Sequence, residues 1–436
     1  MRWLSRLERF PQKALVLADQ VLVSGVGFAT NLLLARALGL TDYGRFSGLL
    51  LGLLVGQSLQ QAGLTGLYQV RWPALSRGYQ PRYTTALLYG QAVWLGLLLA
   101  GLGLGLLVAA LVCPVWWTTY LTGYAATLPA FALTLPTLLG QDFLRRVLLT
   151  QRRAGAVLCL DAGACVSQLL LLALSWRTGW LTLPGAWWII GVTSLPTVIV
   201  GVVWLAPGPW RSGDMGRLRR QHTRLGRWLV LSALLQWSAG NYFLLAAGWW
   251  LGAAALGALR LGQYVFGLLN VGLQAAESYA LPRASAVAAQ PDALRRYLWR
   301  VGLGLAGLLA PLLLALAVGG ETLLTRTGGE AYRPYAYVMT GLAGLYVLVV
   351  AGYPVRMALR VRLQNKAYFI GYVLATLFSL SAAPALIGRL GLTGVLLGLA
   401  GAQALLLAYW VWVLSSHRTT QWTLFTSFSA RPIRPE

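Results

Sequence analysis

The chain has 436 residues, of which 58% are hydrophobic and only 11% charged, with a formal net charge of +24. A water-soluble globular domain carries about 25% charged residues, so this composition, with a mean hydropathy of +0.65, excludes that class and predicts a polytopic membrane protein. The charge and the pI near 10.8 do not make a nucleic-acid binder, because the basic residues sit in short connectors between apolar stretches and not on one face or tail.

A spanning helix takes about 20 mostly apolar residues. In chain order the sequence predicts such helices near 14–35, 46–70, 83–112, 121–144, 154–175, 183–205, 228–250, 253–279, 299–319, 335–355, 367–387 and 391–414. The fourth is the least regular, since Pro129 and Pro136 interrupt it. The expected class is all-α, with about twelve transmembrane helices. Of the 35 Lys and Arg, 28 fall on the N-terminal segment, on every second connector after it, and on the C-terminal segment. Six (Arg36, Arg45, Arg177, Arg326, Arg333 and Arg389) fall on the other connectors, and Arg260 lies within a span. Cytoplasmic loops carry the Lys and Arg excess, so both termini are expected in the cytoplasm and the protein in the cell (inner) membrane. The first apolar segment is full length with no small-residue cleavage site after it, and reads as a retained helix rather than a secretory signal. Trp pairs at span ends (Trp116 and Trp117, Trp187 and Trp188, Trp249 and Trp250) suit the headgroup layer. Cys113, Cys159 and Cys165 have no metal spacing and no pairing logic; their expected role is as small buried hydrophobes.

The longest charged interruption, 207–227, divides the chain into an N-terminal six-helix lobe (1–206), a basic cytoplasmic connector (207–227), a C-terminal six-helix lobe (228–415) and a cytoplasmic tail (416–436). The lobes look related. LGLTDYG (38–44) follows the first span and LGAAALG (251–257) the seventh, 213 residues on; at that offset Gln61 falls on Gln274. PALSR (73–77) and PRASA (282–286) then open equivalent inside loops. Six is even, so both lobes enter the membrane in the same sense and are related by an axis along its normal. A cleft between such lobes opens to either side as one rocks against the other. The connector is long and polar enough to let them move.

Polar residues inside spans mark the cleft, because a helix that faces only lipid needs none. The first span carries Gln20, Ser24, Gly27 and Asn31 at steps of four, three and four, one stripe of one face. The second carries Gln57, Gln60, Gln61, Thr65 and Tyr68, and the seventh Ser232, Gln236 and Asn241. The eighth carries Arg260, Gln263, Tyr264, Gly267, Asn270, Gln274, Glu277 and Ser278. Interhelical hydrogen bonding explains a single Gln; a strip of this length that includes an Arg predicts a water-filled cavity. An Arg at a helix centre costs about 2.5–3.5 kcal/mol on insertion scales. Arg260 is therefore either a structural or snorkelling side chain or an anion contact, since guanidinium grips phosphate with two parallel bonds. Arg36, at the outer end of the first span, is an interface anchor or a second such contact.

The acids Asp19, Asp142, Asp161 and Glu277 fall toward the inner face. Asp142 precedes Arg145 and Arg146 by three and four residues, a helix pair. Asp19 and Asp161 lack a basic partner inside their spans, and fit either a proton or cation site or a capping role. With Glu277 they form the candidate ion-coupling set. No enzyme constellation is present: His222 and His417 lie in inside segments away from any nucleophile, and no phosphate-cradling Gly-rich loop occurs. No metal and no cofactor is expected, only coupling to a gradient of H+ or Na+.

The stretch LADQVLVSGVGFATNLLLARALGLTDYGRFS (17–47), with Asp19-Gln20, Leu34-Ala35-Arg36, Leu38-Gly39, Tyr43-Gly44 and Phe46, resembles the opening of bacterial polysaccharide flippases. These are the O-antigen and exopolysaccharide transporters of the multidrug/oligosaccharidyl-lipid/polysaccharide superfamily. LGALRLGQYVFGLLNVGLQAAESYALPR (256–283) resembles the second-half counterpart. The likeness is close over these stretches and loose elsewhere. It implies two six-helix lobes in a V that move a polyprenyl-diphosphate-linked oligosaccharide from the inner to the outer leaflet, for export of surface polysaccharide such as lipopolysaccharide. The implied partners are the phospholipid membrane, the lipid-linked oligosaccharide, and polysaccharide polymerase and export machinery, with no nucleic acid. Arg36 and Arg260 carry over as diphosphate contacts; Gln20, Asn31, Gln57, Gln61, Gln263, Asn270 and Gln274 complete the expected substrate-binding set. The interior is less cationic than a double phosphate asks. A multidrug or organic-cation antiporter of the same superfamily is the alternative, and it would want carboxylates in the cleft. A membrane glycan polymerase or ligase would use a large outer loop, whereas the longest outer connector, about 320–334, is short and nearly balanced in charge.

Overall fold

The computed structural model describes residues 11–112, 122–205, 208–209 and 212–416. Arg2, Arg6, Arg9, Cys113, Trp116, Trp117, Arg211, His417 and the tail beyond it lie outside the described residues. Every regular element among the described residues is helical, as a bilayer requires of an open chain whose backbone must bond to itself. Among the described residues nine helices are long and apolar enough to cross a membrane. Two of the nine are hairpins. Residues 12–38 (α1) and 40–71 (α2) meet at Gly39, where φ 74° and ψ 175° break the helix. Tyr43 Oη donates to Asn31 Oδ1 at 3.2 Å, across a separation that a straight helix would stretch to roughly 18 Å. Residues 365–390 (α11) and 392–415 (α12) meet at Gly391 (φ 56°, ψ −132°), and Tyr368 stacks on Trp410 with ring centroids 5.3 Å apart. A further helix, Leu128–Thr150 (α4), is as long but more polar. With Gln80–Val112 (α3), Ala154–Arg177 (α5), Leu183–Leu205 (α6), Ser212–Trp250 (α7), Ala253–Ala286 (α8), Pro291–Val318 (α9) and Tyr337–Val361 (α10), the described residues supply twelve helices of spanning length.

Several helix boundaries differ from expectation. The fourth helix begins at Leu128 rather than near 121, because Pro129 takes a first-turn position where its missing N–H costs nothing. The seventh begins at Ser212 rather than near 228, so residues 212–227 of the basic connector form roughly the first four turns of α7.

The turns repeat. Seven described residues have positive φ, and six of them pair: Gly39 with Gly252, Arg152 with Leu363, Gly179 with Gly391, at separations of 213, 211 and 212 residues. Arg152 and Leu363 close identical caps. Arg153 N donates to Leu148 O and Gln364 N to Leu359 O, each at 3.0 Å, the six-to-one bond of a Schellman turn. Backbone geometry thus extends the faint match between 38–44 and 251–257 over the length of both halves.

At the end of the bundle away from the arginine-rich connectors, here the far end, the halves meet backbone to backbone; the other is the basic end. A Cβ on Gly44 would lie 1.7 Å from Ala253 O, and a Cβ on Gly257 would lie 2.5 Å from Leu40 O. Leu40 and Ala253 are equivalent positions, as are Gly44 and Gly257, so the contact is reciprocal, as across a twofold axis. Two backbones touch because neither carries a side chain there. From this crossing α8 is buried over 255–262, but Val271, Gly272, Gln274, Ala275, Ser278 and Tyr279 are exposed. The helix leaves the interface toward the basic end.

Candidate functional site

Arg260 is 8% exposed. Its Nη1 donates to Gln263 Oε1 at 3.1 Å and its Nη2 to Tyr264 Oη at 3.2 Å, three and four residues along its own helix. The Tyr264 ring centroid is 5.0 Å from the guanidinium carbon. Both hydrogen-bond partners are neutral, and the buried Nε has none. Among the described residues no carboxylate pairs with it, and a buried charge without a counter-ion is costly.

It opens on a cavity of about 470 Å³, within the range of small-ligand sites. Gln236, Gln263, Asn270 and Gln403 supply amides, and Tyr264, Tyr346, Tyr353, Tyr372 and Trp410 supply ring faces. Arg260 and Arg356 are its charged residues, with no carboxylate in the wall. Asn270 Nδ2 donates to Tyr346 Oη at 2.9 Å. Every lining residue belongs to α7, α8, α10, α11 or α12. The cavity is therefore built inside the second half, whereas the sequence pointed to the seam between halves.

Of the expected binding set, Arg260, Gln263 and Asn270 line this cavity. Arg36 does not: it is exposed at the far end and donates to Arg326 O at 3.3 Å, on the short helix Gly320–Gly328. Gln20 is exposed, donates to Ser24 Oγ at 3.4 Å and accepts from Arg145 Nη2 at 3.4 Å. Asn31 is buried, donates to Gly27 O at 2.8 Å and accepts from Tyr43. Gln57 is half-buried and Gln61 exposed on α2. Gln274 is exposed on α8, with its carbonyl accepting from Ser278 Oγ at 2.9 Å. Gln60 is fully buried as interhelical glue, donating to Leu139 O at 3.1 Å and accepting from Gln91 Nε2 at 2.8 Å. Sequence reasoning missed Arg356, Tyr346 and Tyr353. The signal was available: these three recur on α10 at steps of seven and three, one helical face.

The acids gather elsewhere. Asp19 and Asp161, 1% and 2% exposed, converge on Arg145 of α4. Arg145 Nη2 is 2.5 Å from Asp19 Oδ2 and its Nε 3.2 Å from Asp161 Oδ2. Gln141 Nε2 donates to Asp161 Oδ1 at 2.9 Å. The basic partner missing from α1 and α5 comes from α4, and two carboxylates share one guanidinium. Asp142 pairs with Arg146 at 2.8 Å. Glu277 is bridged by Arg356 at 3.0 Å and by Arg360. Among the described residues no His, Cys, Asp and Glu cluster could hold a metal.

No protein-family model matches the chain, and no curated protein matches it. Solved structures do. A lipid II flippase, MurJ, in an inward closed conformation superposes with a TM-score of 0.69 at 12% identity, over 92% of this chain and 87% of that one. An inward-facing multidrug resistance MATE family transporter of the MOP superfamily gives 0.71 at 12% identity, over 92% and 97%. An outward-facing conformation of a MATE family transporter gives 0.55 at 14% identity, over 94% and 96%. The likeness shows the fold: an all-α polytopic membrane protein built as these transporters are.

Proposed function

We propose that this chain is a flippase. It carries a polyprenyl-diphosphate-linked oligosaccharide across the cytoplasmic membrane by alternating access, for surface polysaccharide export. The observation that carries the reading is Arg260, a buried guanidinium with no carboxylate partner among the described residues, in a cavity whose charged lining residues are Arg260 and Arg356. Such a wall attracts an anionic head group and repels a cation. In this reading the basic end faces the cytoplasm. The head group enters along the exposed part of α8, past Gln274 and Ser278. Its diphosphate, or an acidic sugar, takes two parallel bonds from Arg260, while amides and ring faces hold the sugars. The lipid tail stays in the bilayer. The Gly44–Gly257 crossing closes the far end and must part for release. The buried Asp19–Asp161 pair, with one more negative charge than Arg145 supplies, is the coupling site for H+ or Na+; Glu277, held by two arginines, is a brace.

The same acid pair favours the second reading, an organic-cation antiporter. It is distinguished by where the cargo goes: that reading needs the cation at α1 and α5, and the large cavity left unused.

The test is complementation of a gene deletion with Arg260→Ala and Arg260→Lys, reading surface glycan, lipid-linked oligosaccharide on the inner leaflet, and protein level in the membrane. We expect Arg260→Ala to lose surface glycan and accumulate the precursor at normal protein level, with partial activity in Arg260→Lys because Lys keeps charge but not the fork. Normal glycan in Arg260→Ala would remove the proposal. Drug resistance on overexpression without a glycan phenotype would install the antiporter instead.

A further inference from the structure

The apolar part of α7 runs from Gly226 to Trp250, and its polar first turns lie before that span, at the basic end. Their sequence is built to dock. Asp214, Leu218, His222 and Gly226 recur every fourth residue and all are buried, while Arg217, Arg219, Arg220 and Thr223 are exposed. One stripe faces protein and the rest faces water. The stripe meets the first half throughout. Asp214 takes two bonds from Arg82 of α3, Nε to Oδ2 at 3.0 Å and Nη2 to Oδ1 at 2.8 Å, a bidentate pair. Leu218 reaches Gly90 of α3, where an added Cβ would meet its Cδ2 at 3.1 Å. Gly226 lies against Gly63 and Leu67 of α2.

His222 is the centre of this contact, 7% exposed. Its Nδ1 is 2.8 Å from Gly63 O and its Nε2 2.9 Å from Tyr83 Oη. A carbonyl only accepts, so Nδ1 carries the proton; in the neutral ring Nε2 then accepts from the tyrosine hydroxyl. Gly63 lies in a π-turn, Gln61–Thr65. A second proton, on Nε2, would make the Tyr83 hydroxyl turn from donor to acceptor and would put a charge in a buried place that holds no carboxylate against the ring. Arg71, at the end of α2, is the charged group that acts on the ring. Tyr83 is the ionisable group in contact, with Tyr68 and Tyr79 rings 5.7 and 6.3 Å behind it, and the Asp214–Arg82 pair lies two turns back.

We propose that this stripe is a latch: with His222 neutral it fastens the leading helix of the second half to α2 and α3 of the first, and protonation of His222 from the basic end releases it. Burial pushes the imidazole below its usual range, the Gly63 carbonyl opposes that, and Arg71 adds to it. A histidine whose docked pKa lies below its free value of about 6.5 supports docking fully above that value, and loses the support as pH falls through it toward the docked pKa. The latch rests on the fold and not on the cargo, so its failure leaves the flippase reading standing, and the reverse.

The experiment uses the full chain in lipid nanodiscs, with the native cysteines replaced by serine and spin labels at Arg77→Cys and Arg220→Cys. Distances are measured by pulsed electron paramagnetic resonance at about pH 8 and about pH 5.5, either side of the imidazole range. A single short distance at the higher pH and a second, longer population at the lower are expected. His222→Gln, which can donate to Gly63 and accept from Tyr83 without titrating, should keep the short distance at both. Tyr83→Phe removes the bond that favours the neutral ring and should move the release midpoint upward. Identical distributions at both pH values in the wild type would overturn the latch, as would an acid-induced shift that persists in His222→Gln.

Discussion

In the first half two carboxylates, Asp19 and Asp161, close on one guanidinium, Arg145; in the second, two guanidiniums, Arg356 and Arg360, close on one carboxylate, Glu277. Both braces draw their arginines from the fourth helix of their half, α4 or α10, near its basic end. The repeated backbone has kept the place of the brace and inverted its charge. Backbone devices such as the paired positive-φ turns cannot drift without unfolding a hairpin, whereas interior charge is free to change once a counter-charge changes with it. The second half goes further, with Arg260 left without a carboxylate beside an open cavity. The two halves therefore differ in the sign of their surplus interior charge, acidic at the first brace and basic at the second.

The comparison breaks first at the braces. Arg145→Ala strands two nearly fully buried carboxylates, and removing one partner of a buried pair costs about 3–5 kcal/mol. Glu277→Gln frees Arg356 and Arg360, whose side chains are 25% and 45% exposed and can turn to water. Thermal unfolding in detergent should show the larger loss for Arg145→Ala; equal losses would mean that the inverted charges make no difference. A middle-sized effect tests the shared axis. Gly44→Ala and Gly257→Ala each force a methyl into backbone, at about 1–3 kcal/mol for overpacking. Gly25→Ala and Gly27→Ala meet nothing within 4 Å and serve as controls. A silent substitution at either member of the pair would deny the reciprocity of the crossing. The smallest effect sharpens the cavity: Tyr346→Phe removes the bond from Asn270, about 0.5–1.5 kcal/mol, and should weaken substrate binding in a proteoliposome transport assay without changing the membrane level.

The sequence by itself determined the twelve crossings and the segregation of arginine to one end. Transfer of a segment into lipid depends on its own side chains and hardly on its neighbours, so the apolar runs and the loop charges carry that information locally. It also held a trace of the duplication, since Gly39 and Gly252 need the same left-handed backbone and glycine supplies it. What it could not hold was partnership. By sequence Arg36 and Arg260 both read as anion contacts, yet packing sets one against Arg326 O and the other over a cavity. Asp19 and Asp161 find Arg145 only because α1, α4 and α5 converge, and His222 finds Gly63 only because α7 lies across α2. Those meetings join residues far apart in the chain, through interactions that act over a few ångströms and depend on which helices are neighbours. Only the tertiary structure decides that.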